Sequence, residues 1–136
     1  MKSPREPSKL EMQVLGVLWE RGPSTVRDVL QGLADGKPRA YTTILSVMQV
    51  MEKKNLLSHV SQGNTHVYEA RVSRRQVAGP LLRGLVKTLF GGRPASVLQH
   101  LLKESEVSSE ELAEIKELIQ TEERKHADKP KKRGDK

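Results

Sequence analysis

Between Ser8 and Lys54 the apolar positions recur three and four apart, the spacing of one face of an α-helix. Ser8-Lys9-Leu10-Glu11 reads as a capping box, in which a serine and a glutamate side chain satisfy free amides at a helix start. Leu10, Val14, Val17 and Leu18 follow on one stripe until Gly22-Pro23 stops the helix. Thr25, with Asp28 three residues on, opens a second helix with the stripe Val26, Val29, Leu30 and Leu33; Gly36 and Pro38 break it. A third helix is expected over 40–54. Ile44, Val47, Met48 and Met51 fall on one side of it, and Thr42, Ser46, Gln49 and Lys53 form a narrow polar stripe on the other. After Asn55 the period changes. Residues 56–61 and 66–72 are rich in Val, Tyr and Thr, and Gln62-Gly63-Asn64-Thr65 is turn material between them, which predicts a β-hairpin.

Ser73 with Gln76 makes another capping box for a segment that Gly79-Pro80 is expected to kink or interrupt, because proline lacks the amide and crowds the preceding turn. Beyond it, Leu81, Leu82, Leu85, Val86, Leu89 and Phe90 make a wide apolar face that ends at Gly91-Gly92. Val97, Leu98, Leu101 and Leu102 mark a short helix. Ser108 opens a last one carrying Leu112, Ile115, Leu118 and Ile119. From about Arg124 the apolar pattern is lost and disorder is expected. These Leu-rich stripes are too many to bury in a single chain of 136 residues, and exposed apolar patches mark interfaces. Self-association through them is the economical reading; packing back on the N-terminal part is the alternative.

Helix, helix, helix, hairpin is the order of a winged helix-turn-helix. The expected fold is therefore mainly α with a small β-hairpin. A winged helix-turn-helix domain occupies 7–72, a helical dimerisation region 73–121, and a basic disordered tail 122–136.

Composition narrows the function. Hydrophobic residues are 35% and aromatics 3%, so the core is built from Leu, Val, Ile and Met. The absence of cysteine excludes disulfides, thiolate metal sites and cysteine catalysis. No apolar run approaches the ~20 residues of a membrane span. The N-terminus lacks the apolar stretch of a signal peptide, so a cytoplasmic protein without membrane insertion is expected. Residues 1–103 carry 16 Lys and Arg against 7 Asp and Glu, whereas 104–136 carry 8 against 10. A basic front part favours a polyanionic partner, nucleic acid or an anionic membrane surface.

The polar stripe has the chemistry to read bases. Glutamine pairs with adenine in a bidentate way, and threonine and serine bond either kind of base edge. Thr42, Thr43, Ser46 and Gln49 suit that task, with Tyr41 at the helix start. Arg39, Lys53 and Lys54 at the two ends suit phosphate contacts, which position without specifying. A solvated helix face is the bland alternative; the place of this helix, third in the order on a basic chain, favours the groove. The hairpin tip carries Asn64, Thr65 and His66 but no Lys or Arg, and a DNA-touching wing and a plain surface turn both remain open.

Nothing supports catalysis or a cofactor. The four histidines at 59, 66, 100 and 126 are scattered, and no HExxH, glycine-rich phosphate loop or nucleophile elbow is present. His59 and His66 fall near each other across the hairpin, but without a third ligand they read as surface histidines. The tail "KPKKR" adds non-specific DNA affinity or merely solubility. The competing class is a winged-helix protein-interaction module, which would want an apolar or aromatic anchor at the centre of the stripe.

Several segments resemble the BlaI/MecI/CopY penicillinase-repressor family of bacterial winged-helix regulators, over about residues 7–121. They are "LEMQVLGVLWERGPSTVRDVL", "AYTTILSVMQVMEKKNLLSHV", "HVYEARVSRRQV", and "FGG" followed by "VSSEELAEIKELI". The second is the most specific, resembling the family's recognition helix nearly position by position. The resemblance implies a homodimeric repressor on a palindromic operator of double-stranded DNA, with entwined C-terminal helices. It also implies that Thr42, Thr43, Ser46 and Gln49 face DNA. In the family's β-lactam branch a membrane sensor protease triggers cleavage of the C-terminal part, which corresponds here to about "ASVLQHLLKE". The copper branch uses cysteine ligands near its C-terminus, and this chain has none.

Overall fold

Ser8 caps the first helix in both directions: its hydroxyl accepts from the Glu11 amide at 3.2 Å, and its amide donates to the Glu11 carboxylate at 2.8 Å. In the computed structural model, which describes residues 6–33 and 36–128, helix α1 runs from there over Lys9–Arg21. Gly22, at φ +83°, ends it in a conformation that side chains disfavour. Helix α2 (Val26–Gly32) starts at a second capping box, Thr25 with Asp28. The Thr25 amide donates to the Asp28 carboxyl and the Thr25 hydroxyl accepts from the Asp28 amide, each at 3.1 Å, and these bonds hold the carboxyl below its ordinary pKa. Helix α3 spans Tyr41–Lys53.

Strands β1 (Leu57–Gln62) and β2 (Thr65–Ala70) pair antiparallel from Leu57 opposite Ala70 to Gln62 opposite Thr65. Gly63, at φ +63°, takes the first central position of the two-residue turn, where the hairpin-compatible type II′ geometry needs a positive φ. The hairpin is tied to the helices by its backbone. Ser24, in the turn between α1 and α2, exchanges amide and carbonyl hydrogen bonds with Tyr68 at 2.9 and 2.8 Å.

The core forms where these elements meet. Val14, Leu15, Val29, Ile44, Met48 and Met51 are fully buried, with Leu57 and Tyr68 beside them. Each such aliphatic side chain contributes roughly 1.5–3 kcal/mol by leaving water. The two methionines are unbranched and adapt to the uneven space between helices and hairpin. At the edge of this core the Trp19 indole donates to the Val72 carbonyl at 2.9 Å, and the Arg74 guanidinium lies 5.3 Å above the indole ring. The arrangement is a winged helix-turn-helix, mainly α with one hairpin.

The chain divides into two compact units between Leu85 and Val86. Helix α4 covers Arg74–Leu89, α5 Pro94–Glu104 and α6 Ser109–Asp128. Two expectations are corrected here. Proline 80 does not interrupt α4, which is one continuous helix. Both Pro80 and Gln76 are exposed, so the carbonyl that loses its amide partner faces water, and the Ser73–Gln76 capping box holds the first turn. Residues 122–128, expected to be disordered, are helical. That segment is built from strong helix formers, and a helix already nucleated at the Ser108 cap propagates without burying a face. The "KPKKR" motif lies outside the described residues.

Candidate nucleic-acid interface

Helix α3 sorts its side chains sharply by direction. At about 100° per residue, Ile44, Met48 and Met51 lie together, and all three are fully buried. Thr42, Thr43, Ser46, Gln49 and Lys53 lie on the other side, and all five are exposed. Ala40 occupies the N-cap position, so no side chain caps the first turn of α3. Tyr41 is exposed there, and the Arg27 guanidinium of α2 sits 5.5 Å from its ring. Arg39 is half-buried.

Lys54 does not join that face. Its ammonium lies 2.9 and 3.1 Å from the two carboxylate oxygens of Glu11, on the first turn of α1. Burial alone would raise the Glu11 carboxyl, but the Ser8 amide and the Lys54 ammonium outweigh it and hold the pKa below the ordinary value. A buried carboxylate with these partners is a fastening between α1 and α3.

A second fastening joins α3 to the wing. The Glu52 carboxylate, on the last turn of α3, is 2.7 Å from Nδ1 of His59 on β1. The His59 ring stacks on His66 of β2 with centroids 4.2 Å apart and planes 15° from parallel, so the two histidines expected to be neighbours are in contact. Tyr68 lies next to them, and burial, followed by the charge of Glu52, pushes its phenol up. Among the described residues no three His, Cys, Asp or Glu side chains are grouped to hold a metal. Asn64, Thr65 and His66 are exposed at the wing tip.

Two residues on this surface escaped the sequence reading. Val50 is 46% exposed, within the same face as Ser46 and Lys53. It belongs to neither the apolar nor the polar stripe named from the sequence, although its angular position on the helical wheel points outward. Arg27 carries no signal in the sequence pattern, and only the packing of α2 beside α3 brings it to Tyr41.

The residues expected to dimerise have a different environment. Helices α4, α5 and α6 bury no residue within the single chain. Leu81, Leu82, Leu85, Leu101, Leu102, Leu112 and Ile119 are exposed, and Leu89 and Leu118 reach 70% and 68%. Val86, Phe90, Val97, Leu98 and Ile115 are half-buried. Among the described residues no helix is long and apolar enough to cross a membrane.

With this geometry in place, comparison with known proteins decides the family: residues 7–121 match the penicillinase repressor family. The chain belongs to that family. Members of the penicillinase repressor family are transcriptional repressors, not enzymes. The transcriptional regulator BlaI of Mycobacterium tuberculosis is 30% identical over 123 residues, covering 89% of this chain and 88% of that protein. The penicillinase repressor of Bacillus licheniformis is 22% identical over 120 residues, covering 88% of this chain and 94% of that one. A solution structure of Bacillus licheniformis BlaI, in monomeric form and in complex with the blaP half-operator, aligns with a TM-score of 0.45. It is 24% identical and covers 55% of this chain and 92% of the other.

Proposed function

We propose that this family member is a homodimeric, sequence-specific DNA-binding repressor, with α3 lying in the major groove and the wing beside it. The observation that carries the reading is the division of α3 into a fully buried apolar side and an exposed side of hydroxyls, one amide and a lysine. Those groups donate to and accept from base edges. The uncapped first turn of α3, with Arg27 and Arg39 nearby in sequence or space, favours phosphate. Lys53 serves the backbone at the other end. Arg27 replaces Lys54 among the phosphate contacts, because the Lys54 ammonium is already held by Glu11. Asn64, Thr65 and His66 touch the backbone or minor groove from the wing.

The exposed leucines of α4, α5 and α6 supply the dimer contact, and a two-fold dimer sets two reading helices on half-sites about one DNA turn apart. The protein acts in the cytoplasm, and an inducing signal, such as cleavage in the C-terminal part by a membrane sensor protease, releases it. The second class, a protein-interaction module without base reading, would need an aromatic or broad apolar anchor on the α3 face. Among the described residues that face offers the isopropyl group of Val50 and, at its N-terminal edge, the Tyr41 ring beside Arg27, and neither makes a broad central anchor.

The test is a titration of the full chain against an operator selected from random duplexes and against scrambled DNA. Gln49→Ala costs about 1–3 kcal/mol on the operator and little on scrambled DNA. If Gln49→Ala, Ser46→Ala and Thr42→Ala all leave the specific-to-random ratio unchanged, α3 does not read DNA.

A further inference from the structure

Within the exposed face of α3 one side chain is out of character. Val50 is 46% exposed and does not belong to the core cluster, whereas Val47 on the same helix packs against it. On the helix surface it lies beside Ser46 one turn before, Lys53 one turn after and Thr43 two turns before, all exposed. A β-branched residue is a poor choice for a solvated helix position, since it loses rotamer freedom against the preceding turn and gains little burial in return. At this place it presents two methyl groups from the flank of the face that carries the polar readers.

We propose that Val50 is a specificity-determining residue that recognises the C5 methyl of thymine. The inference rests on α3 being the groove helix and extends it to a particular base. The thymine methyl is the apolar group that the major groove displays, and an aliphatic side chain is its natural complement. Contact removes both apolar surfaces from water. It disfavours cytosine at the same position, which presents an amino donor and no methyl. The hydroxyls and the amide around Val50 read hydrogen-bonding edges; Val50 reads the one feature they cannot.

The experiment starts from the duplex selected with the wild-type full chain. Each thymine is replaced in turn by uracil, which removes the methyl and leaves the hydrogen-bonding edge unchanged. Wild type, Val50→Ala and Val50→Thr are titrated against each duplex, with a melting curve for each variant. Alanine is the better helix former and the core is untouched, so Val50→Ala folds. At one thymine per half-site, uracil lowers wild-type affinity about threefold to fivefold per half-site, as expected for one methyl group leaving water. Val50→Ala is weaker on the thymine duplex by a similar factor and indifferent to uracil at that position. Val50→Thr, which keeps one methyl, is intermediate. Equal responses of wild type and Val50→Ala to uracil at every position, with the specific-to-random ratio intact, overturn the role of Val50 and leave base reading by α3 standing. If selection enriches no sequence, base reading itself fails and this inference with it.

Discussion

The Lys54 ammonium lies 2.9 Å from one Glu11 carboxylate oxygen, joining the end of α3 to the first turn of α1 across 43 positions of sequence. Lys53, its neighbour in the chain and identical in chemistry, points to solvent instead. The two lysines therefore separate folding from binding. Lys54→Ala leaves Glu11 buried with only its Ser8 partner, and denaturant unfolding should show a loss of about 1–3 kcal/mol. Lys53→Ala should unfold like wild type, bind every DNA sequence more weakly, and flatten the salt dependence by about one unit. Equal stability of the two variants would remove the structural role assigned to Lys54.

The same pair makes stability depend on pH in a defined direction. Glu11 has a folded pKa below its unfolded one, so it binds protons less readily when folded. The stability it contributes is complete above the ordinary glutamate range and is lost as pH falls through the lowered folded value. Urea midpoints of wild type and Glu11→Gln, measured from neutral pH into that acid window, should converge as the pH drops. A constant gap across the whole range would show that the carboxylate charge is not what matters at this site.

Trp19 is the joint between α1 and the start of α4. Trp19→Phe keeps the ring under Arg74 but removes the indole N–H that donates to the Val72 carbonyl. Thermal unfolding should report a loss on the order of 1–2 kcal/mol, the cost of a half-buried acceptor left without its donor. DNA affinity at a temperature where the variant is fully folded should be unchanged, since neither group lies on the α3 face.

Replacing Leu101 and Ile119 together by serine tests the dimer surface. Both are exposed in the single chain, so the N-terminal core has no reason to melt earlier. Sedimentation should shift from dimer to monomer, and operator affinity should fall because the two half-sites are no longer bound together. A double variant that still sediments as wild type would place the dimer contact elsewhere.

Much of this organisation is legible in the sequence, for a local reason. The Ser8, Thr25, Ser73 and Ser108 caps bond to residues three positions away, and all four are present. The helix-helix-helix-hairpin order follows from the spacing of apolar residues and from Gly63 in the turn. The buried side of α3 follows from the same spacing. These features depend on neighbours within one or two turns of chain, so a residue pattern suffices to determine them.

Other features depend on what arrives from far along the chain, and only the tertiary structure decided them. That Lys54 pairs with Glu11 depended on where α1 lies. That Arg27 stands over Tyr41 required α2 and α3 to be packed together. The helical wheel turns Val50 away from the buried stripe, but how far it stays in solvent, 46%, depended on the packed elements around α3. Pro80 within an unbroken helix, and helix through Asp128, were hidden for the opposite reason. Sequence pattern reports which faces seek burial, and backbone hydrogen bonding continues where a segment has no face to bury and its exposed groups are satisfied by water.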